Sequence, residues 1–158
     1  MAQSPQLKQS SPTSPDPQDF RLDATPAMRA DNVVSGEHWR IGLITDSLVR
    51  FEWSDSGVFE NRPTQTVLNR DFGSPVERRV TERDGRVIID TAALTIVYDQ
   101  QPFSKEGLSV VVKGVADTQF NTWHYGDAPR GNLKGTARTL DEADGAIELD
   151  NSVISRDG

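Results

Sequence analysis

From Trp39 onward the apolar residues of this chain recur at every second position, and a chain patterned that way folds into strands rather than helices. In "SLVRFEWS", Val49, Phe51 and Trp53 fall on one side, and Leu48, Arg50 and Glu52 on the other. This is the signature of a strand with one buried face. The preceding "WRIGLIT" is a β-rich run ending at Asp46 and Ser47, so a hairpin is expected across that short turn. "VERRVTERDGRVIIDT" holds two strand-like runs joined at Asp84–Gly85, a pair that readily supplies the positive φ angles of a tight turn. "ALTIVYD" places Leu94, Ile96 and Tyr98 on one face, and "GLSVVVKG" is an apolar run between Gly107 and Gly114. With no internal repeat and no amphipathic helical pattern, the expected class is all-β, a β-sandwich.

The N-terminal part is different. Of nine prolines, five lie in the first 35 residues, which hold one aromatic, Phe20. A segment so rich in Pro, Ser and Gln buries too little apolar surface to offset its chain entropy. Residues 1–32 are therefore expected to be a disordered tail and residues 33–158 the sandwich. The N-terminus lacks the basic start and apolar run of a signal peptide, and no later stretch is long and apolar enough for a membrane span. There is no cysteine, so disulfides and thiolate metal sites are excluded, and a cytoplasmic location is expected. A net charge of −7 argues against nucleic acid as a partner. Arg78, Arg79, Arg83 and Arg86 do cluster, but Glu77, Glu82 and Asp84 alternate with them, which reads as a solvated hairpin.

Tests for catalytic motifs fail one by one. The two histidines, His38 and His124, are far apart in sequence and lack metal-ligand spacing. No Gly-x-Ser-x-Gly elbow is present. "LDEADG" is not an EF-hand loop, because aligning Gly145 with its glycine puts Leu140 at the first ligand position and Asn151 at the last. Gly126, Gly131 and Gly135 do not form a dinucleotide or phosphate-loop fingerprint. Asp141 and Asp144 form a carboxylate pair on a loop with nothing to fix their separation. No residue is assigned a catalytic role, and neither a metal nor a cofactor is implied. His124, between Trp123 and Tyr125, is a candidate for contacting a ligand, or else a polar member of an aromatic strand end.

Three stretches together resemble the amino-terminal domain of family-31 glycoside hydrolases, the α-glucosidase and α-xylosidase group. They are "ITDSLVRFEWSDSGVFENRPTQTVLNRDF" (Ile44 to Phe72), "LTIVYDQQPFSKEGLSV" (Leu94 to Val110), and "NLKGTARTLDEADG" followed by "ISRDG". The likeness spans roughly Val33 to Gly158. Where many members carry a Tyr-Gly-Leu-Gly-Glu segment, this chain has "HYGDAPRG", matching at Tyr125 and Gly126. The resemblance implies a galactose-mutarotase-like sandwich, here incomplete at its C-terminal end. It also implies a following (β/α)8 barrel, in cis, that carries the two catalytic aspartates of a retaining mechanism. The substrates implied are oligosaccharides, α-glucosides or α-xylosides. Residues 123–145 are then expected to be a loop reaching toward the barrel mouth, with Arg138 and Asp141 as its substrate contacts beside His124. The alternative is a stand-alone carbohydrate-binding or protein-interaction module, with Trp39, Trp53 or Trp123 stacking on sugar rings. Trp53, on the apolar face of its strand, is better suited to the core.

Overall fold

The computed structural model describes residues 23–115, 121–137, 141, 143–152 and 154–156. Among these residues eight strands form two antiparallel sheets. The first sheet holds β1 (Val33–Ser35), β2 (Trp39–Leu43) and β3 (Val49–Trp53) in that order. The second is a five-stranded meander of β4 (Arg79–Arg83), β5 (Arg86–Asp90), β6 (Leu94–Tyr98), β7 (Leu108–Val112) and β8 (Thr122–His124). Ala30–Asn32 form a 3-10 turn, and there is no α-helix among the described residues. None of them therefore builds a helix long and apolar enough to cross a membrane.

Turn chemistry sets the register. Asp84 and Gly85 have φ of 51° and 73°, the two positive values that a two-residue hairpin needs to match strand twist, and Arg83 pairs with Arg86. Thr45 Oγ1 accepts from the Leu48 amide at 2.9 Å, closing the β2–β3 connection, so that Trp39 faces Trp53 and Leu43 faces Val49. In the β5–β6 turn, Thr91 Oγ1 accepts from the Leu94 amide and donates to the Asp46 carbonyl at 2.6 Å. That second bond ties a turn of one sheet to a turn of the other.

The alternation seen in sequence becomes the core. Trp39, Ile41 and Leu43 of β2 pack with Val87 and Ile89 of β5, Leu94, Ile96 and Tyr98 of β6, and Leu108 and Val110 of β7. Trp39 meets Tyr98 edge-on across the two sheets at 5.3 Å. Val49, Phe51 and Trp53 are partly buried against this cluster, so Trp53 sides with the core as its strand position predicts. Of the charged β4–β5 hairpin, every residue of β4 is exposed, while Val87 and Ile89 of β5 face the core.

The outer face of the first sheet is covered as well, by parts of the chain that lack strand pattern. Arg40 grips Glu52 with two bonds of 2.6 and 3.0 Å, and Arg50 reaches the same carboxylate at 2.9 Å. Burial pushes the Glu52 carboxyl up, but the two arginines outweigh it and hold the group below its ordinary range. Arg70 lies over them with no exposed surface, donating to the carbonyls of Pro26 at 3.0 Å and Arg62 at 2.9 Å. Its own amide bonds the Thr25 carbonyl at 2.8 Å. Gly42 leaves room for Met28, whose sulfur would stand 1.9 Å from any Cβ placed there.

The chain is thus docked from Thr25 onward, ahead of the boundary at residue 32 that composition suggested. Asn32 is buried and accepts from the Val76 amide at 2.7 Å. Backbone bonds, which composition does not register, hold this stretch. The tail expected over residues 1–22 lies outside the described residues. Comparing chains that start at residue 23 and at residue 32 isolates the strap. The shorter one is expected to be less stable by about 2 kcal/mol or more in urea melts, for the lost hydrogen bonds of Thr25 and Pro26 with Asn69 and Arg70 and one uncovered apolar contact. Equal midpoints would show that the strap adds nothing.

Candidate functional site

β8 carries the residues that most resemble a site. It lies at the edge of the five-stranded sheet, with Trp123 opposite Val110 and His124 opposite Ser109. Val110 faces the core, so Trp123 points the same way and reaches Phe51 of the other sheet, the rings nearly parallel at 6.4 Å. Tyr125 packs on Phe103 at 5.5 Å and meets Trp123 edge-on at 6.4 Å. Phe103, from the β6–β7 connection, also touches Phe51, Trp53 and Tyr98. These aromatics close one open side of the sandwich, yet Trp123 and Tyr125 keep 41% and 43% of their surface exposed.

A polar group lies alongside. Gly126, with φ of 79°, permits the tight turn in which the Asp127 amide bonds the His124 carbonyl at 3.0 Å. Asp127 Oδ2 accepts from the His124 amide at 2.9 Å and lies 3.3 Å from its Nδ1. Its Oδ1 pairs with Lys105 at 2.7 Å. The Lys105 ammonium, and after it the His124 amide, hold the Asp127 carboxyl down at about 2. His124 is therefore the polar end of an aromatic strand. Its ring is oriented by a carboxylate that stays ionised through the neutral range.

The segment read as one long loop from Trp123 to Gly145 is not uniform. It begins on β8, turns at Gly126, and from residue 131 runs antiparallel to residues 150–156. Leu133 bonds the Ile154 carbonyl at 3.1 Å, and Gly135 bonds that of Asp150 at 2.8 Å. Asn132 bonds Ser152 through both ends of its amide, at 2.8 and 3.0 Å. This ribbon puts Asp141 in the loop it closes, exposed and away from the strand pairing. Arg138 lies outside the described residues. Of the predicted contacts, His124 stands within a defined cluster. Phe103, Lys105 and Asp127 complete that cluster and were missed. The usable signal was Asp127 three residues after His124, across a glycine. Trp39 is buried and presents no stacking face.

Among the described residues no group of three His, Asp or Glu side chains stands close enough to hold a metal ion. Neither a family model nor a curated protein matches the chain.

Proposed function

We propose that this chain is the non-catalytic front sandwich of a family-31-type α-glycosidase, contributing sugar contacts and a docking face to a catalytic (β/α)8 barrel. The reading takes its family from the resemblance in "FENRPTQTVLNR" and its companion stretches. Its structural support is the half-exposed Trp123–Tyr125 pair, held rigid from behind by Phe51 and Phe103. Exposed aromatics rimmed by polar groups mark interaction surfaces. Flat rings suit the apolar face of a pyranose, while Asp127, Lys105 and His124 offer acceptors and donors to its hydroxyls. The two antiparallel sheets are compatible with a galactose-mutarotase-like sandwich. In this reading the barrel supplies both catalytic aspartates, the ribbon-closed loop bearing Asp141 leans toward its mouth, and Arg138 remains a proposed contact.

The isolated chain is expected to bind maltotriose weakly and to turn over no nitrophenyl α-glucoside or α-xyloside. Trp123→Ala should weaken binding at least tenfold, about 1.4 kcal/mol, in isothermal titration. The urea midpoint should shift much less, because the ring is not enclosed. Sugar affinity untouched by Trp123→Ala would overturn the assignment of this edge. Hydrolysis by the purified chain would overturn the non-catalytic role.

A further inference from the structure

A second concavity opens at one end of the sandwich. The β1–β2 turn, the end of β3, the β4–β5 turn and the start of the β6–β7 connection surround a cleft of about 340 Å³. Glu37, His38, Trp53, Asp99, Gln100 and Gln101 line it. The volume lies at the small end of the range for small-molecule sites.

We propose that this end cleft is a separate saccharide subsite that takes one neutral pyranose ring. The proposal shares its ligand class with the preceding function but rests on different residues.

The lining is preorganised. Trp53 Nε1 donates to Asp55 at 2.9 Å, and its ring is packed by Phe103 at 6.4 Å and His38 at 5.9 Å, so the indole cannot swing. His38 Nδ1 lies 3.2 Å from the Ser54 carbonyl, which can only accept, so Nδ1 carries the proton. Its Nε2 lies 3.7 Å from Glu37 Oε1 at the exposed mouth of the cleft. The imidazole and the carboxylate together offer polar contacts to a sugar hydroxyl entering there. On the far wall, Gln100 donates to Glu82 at 3.0 Å and to the Gly85 carbonyl at 3.3 Å, which pins the β6–β7 connection to the β4–β5 turn. Asp99 Oδ1 accepts from the Gln101 amide at 3.0 Å. Groups fixed before binding lose little freedom when a ligand arrives.

The chemistry selects the ligand. No lysine or arginine lines the cleft, so nothing there neutralises an anion. Carboxylates, an imidazole and side-chain amides alternate around an indole, which offers both acceptors and donors beside an apolar surface. A pyranose presents a hydroxyl rim and an apolar C–H face, and uses all of these at once.

The three tryptophans make the test specific, because Trp39 and Trp53 line the cleft and Trp123 belongs to the β8 edge. Maltotriose is titrated into the ¹⁵N-labelled chain while the three indole N–H resonances, assigned by single Trp→Phe variants, are followed. The Trp53 resonance is expected to shift saturably. Glu37→Ala and His38→Ala, both at exposed side chains, should each weaken that response at least tenfold and leave the Trp123 response alone. A saturable shift confined to Trp123 would overturn the cleft while sparing the β8 edge. No shift in any indole would overturn both, and a Trp53 response indifferent to both alanine variants would remove the sugar from this cleft.

Discussion

Tyr98→Ala is expected to lower the free energy of unfolding by about 4 kcal/mol, within the range for deleting a buried aromatic ring. Tyr98 has no exposed surface and stands between Trp39 at 5.3 Å and Phe103 at 5.5 Å. Its loss opens a cavity at the one place where the inter-sheet core meets the aromatic edge. Its hydroxyl also donates to the Gln101 carbonyl, at the start of the loop that carries Phe103. Urea denaturation should show a lower midpoint at unchanged slope. A loss under 1 kcal/mol, the size of an ordinary surface effect, would mean that the site collapses around the missing ring. Tyr98→Phe isolates the hydroxyl, at about 1 kcal/mol near neutrality.

The Tyr98 phenol also gives the stability a pH dependence, which both variants remove. Burial, and after it the charge of Asp99, push the Tyr98 phenol well above its ordinary value of 10.0. Below that value the group is neutral in both folded and unfolded chains and contributes no slope. As pH rises past it, the unfolded chain ionises and the folded one does not, so stability falls until the folded group titrates too. Tyr98→Phe should flatten this alkaline limb in urea midpoints measured from pH 8 to 11. An unchanged limb would assign it to other groups.

Arg70→Met should cost about 3 kcal/mol, an unusual amount for a residue in a stretch without secondary structure. The replacement keeps most of the volume but removes the donors to two part-buried hydrogen bonds, those to the carbonyls of Pro26 and Arg62. Two effects act the other way. The Arg70 Nε has no hydrogen-bond partner, and desolvation, followed by repulsion from Arg50, lowers the guanidinium's affinity for its proton. Both reduce the loss without reversing it, because methionine donates to neither carbonyl and both part-buried hydrogen bonds are lost. Arg70→Lys should fall between, since one ammonium cannot span two carbonyls as the guanidinium fork does. The sharper measurement is coupling. In a chain that starts at residue 32 the Pro26 carbonyl is absent, so Arg70→Met should cost less there than in the full chain. Strict additivity would show that Arg70 does not act through the strap.

These residues also mark how far sequence alone could reach. Val49, Phe51 and Trp53, like Leu94, Ile96 and Tyr98, advertise their faces because a strand's side chains alternate with period two. Asp84–Gly85 advertises its turn because few pairs adopt two positive φ angles. All of this is local chemistry, and it was legible: the strands, the two hairpins and the placement of Trp53 with the core. The short strand β1 was not, and β8 showed only as an aromatic strand end at His124, because three residues are too few to show a period.

The rest depended on contacts between distant parts of the chain. Arg70 and Pro26 are 44 positions apart, as are Asn32 and Val76, and neither pair leaves a mark in composition or alternation. A proline-rich approach read as part of a tail is held down from Thr25 by such bonds. His124 acquired Asp127 through a local turn, but Lys105, Phe103 and Phe51 reached the same edge only when the β6–β7 connection and the first sheet were in place. The end cleft likewise draws one wall from each sheet. Periodicity and turn residues determined which segments are strands and which way they face. Tertiary packing decided which unpatterned segments cover them, and which polar groups meet at the ends and edges.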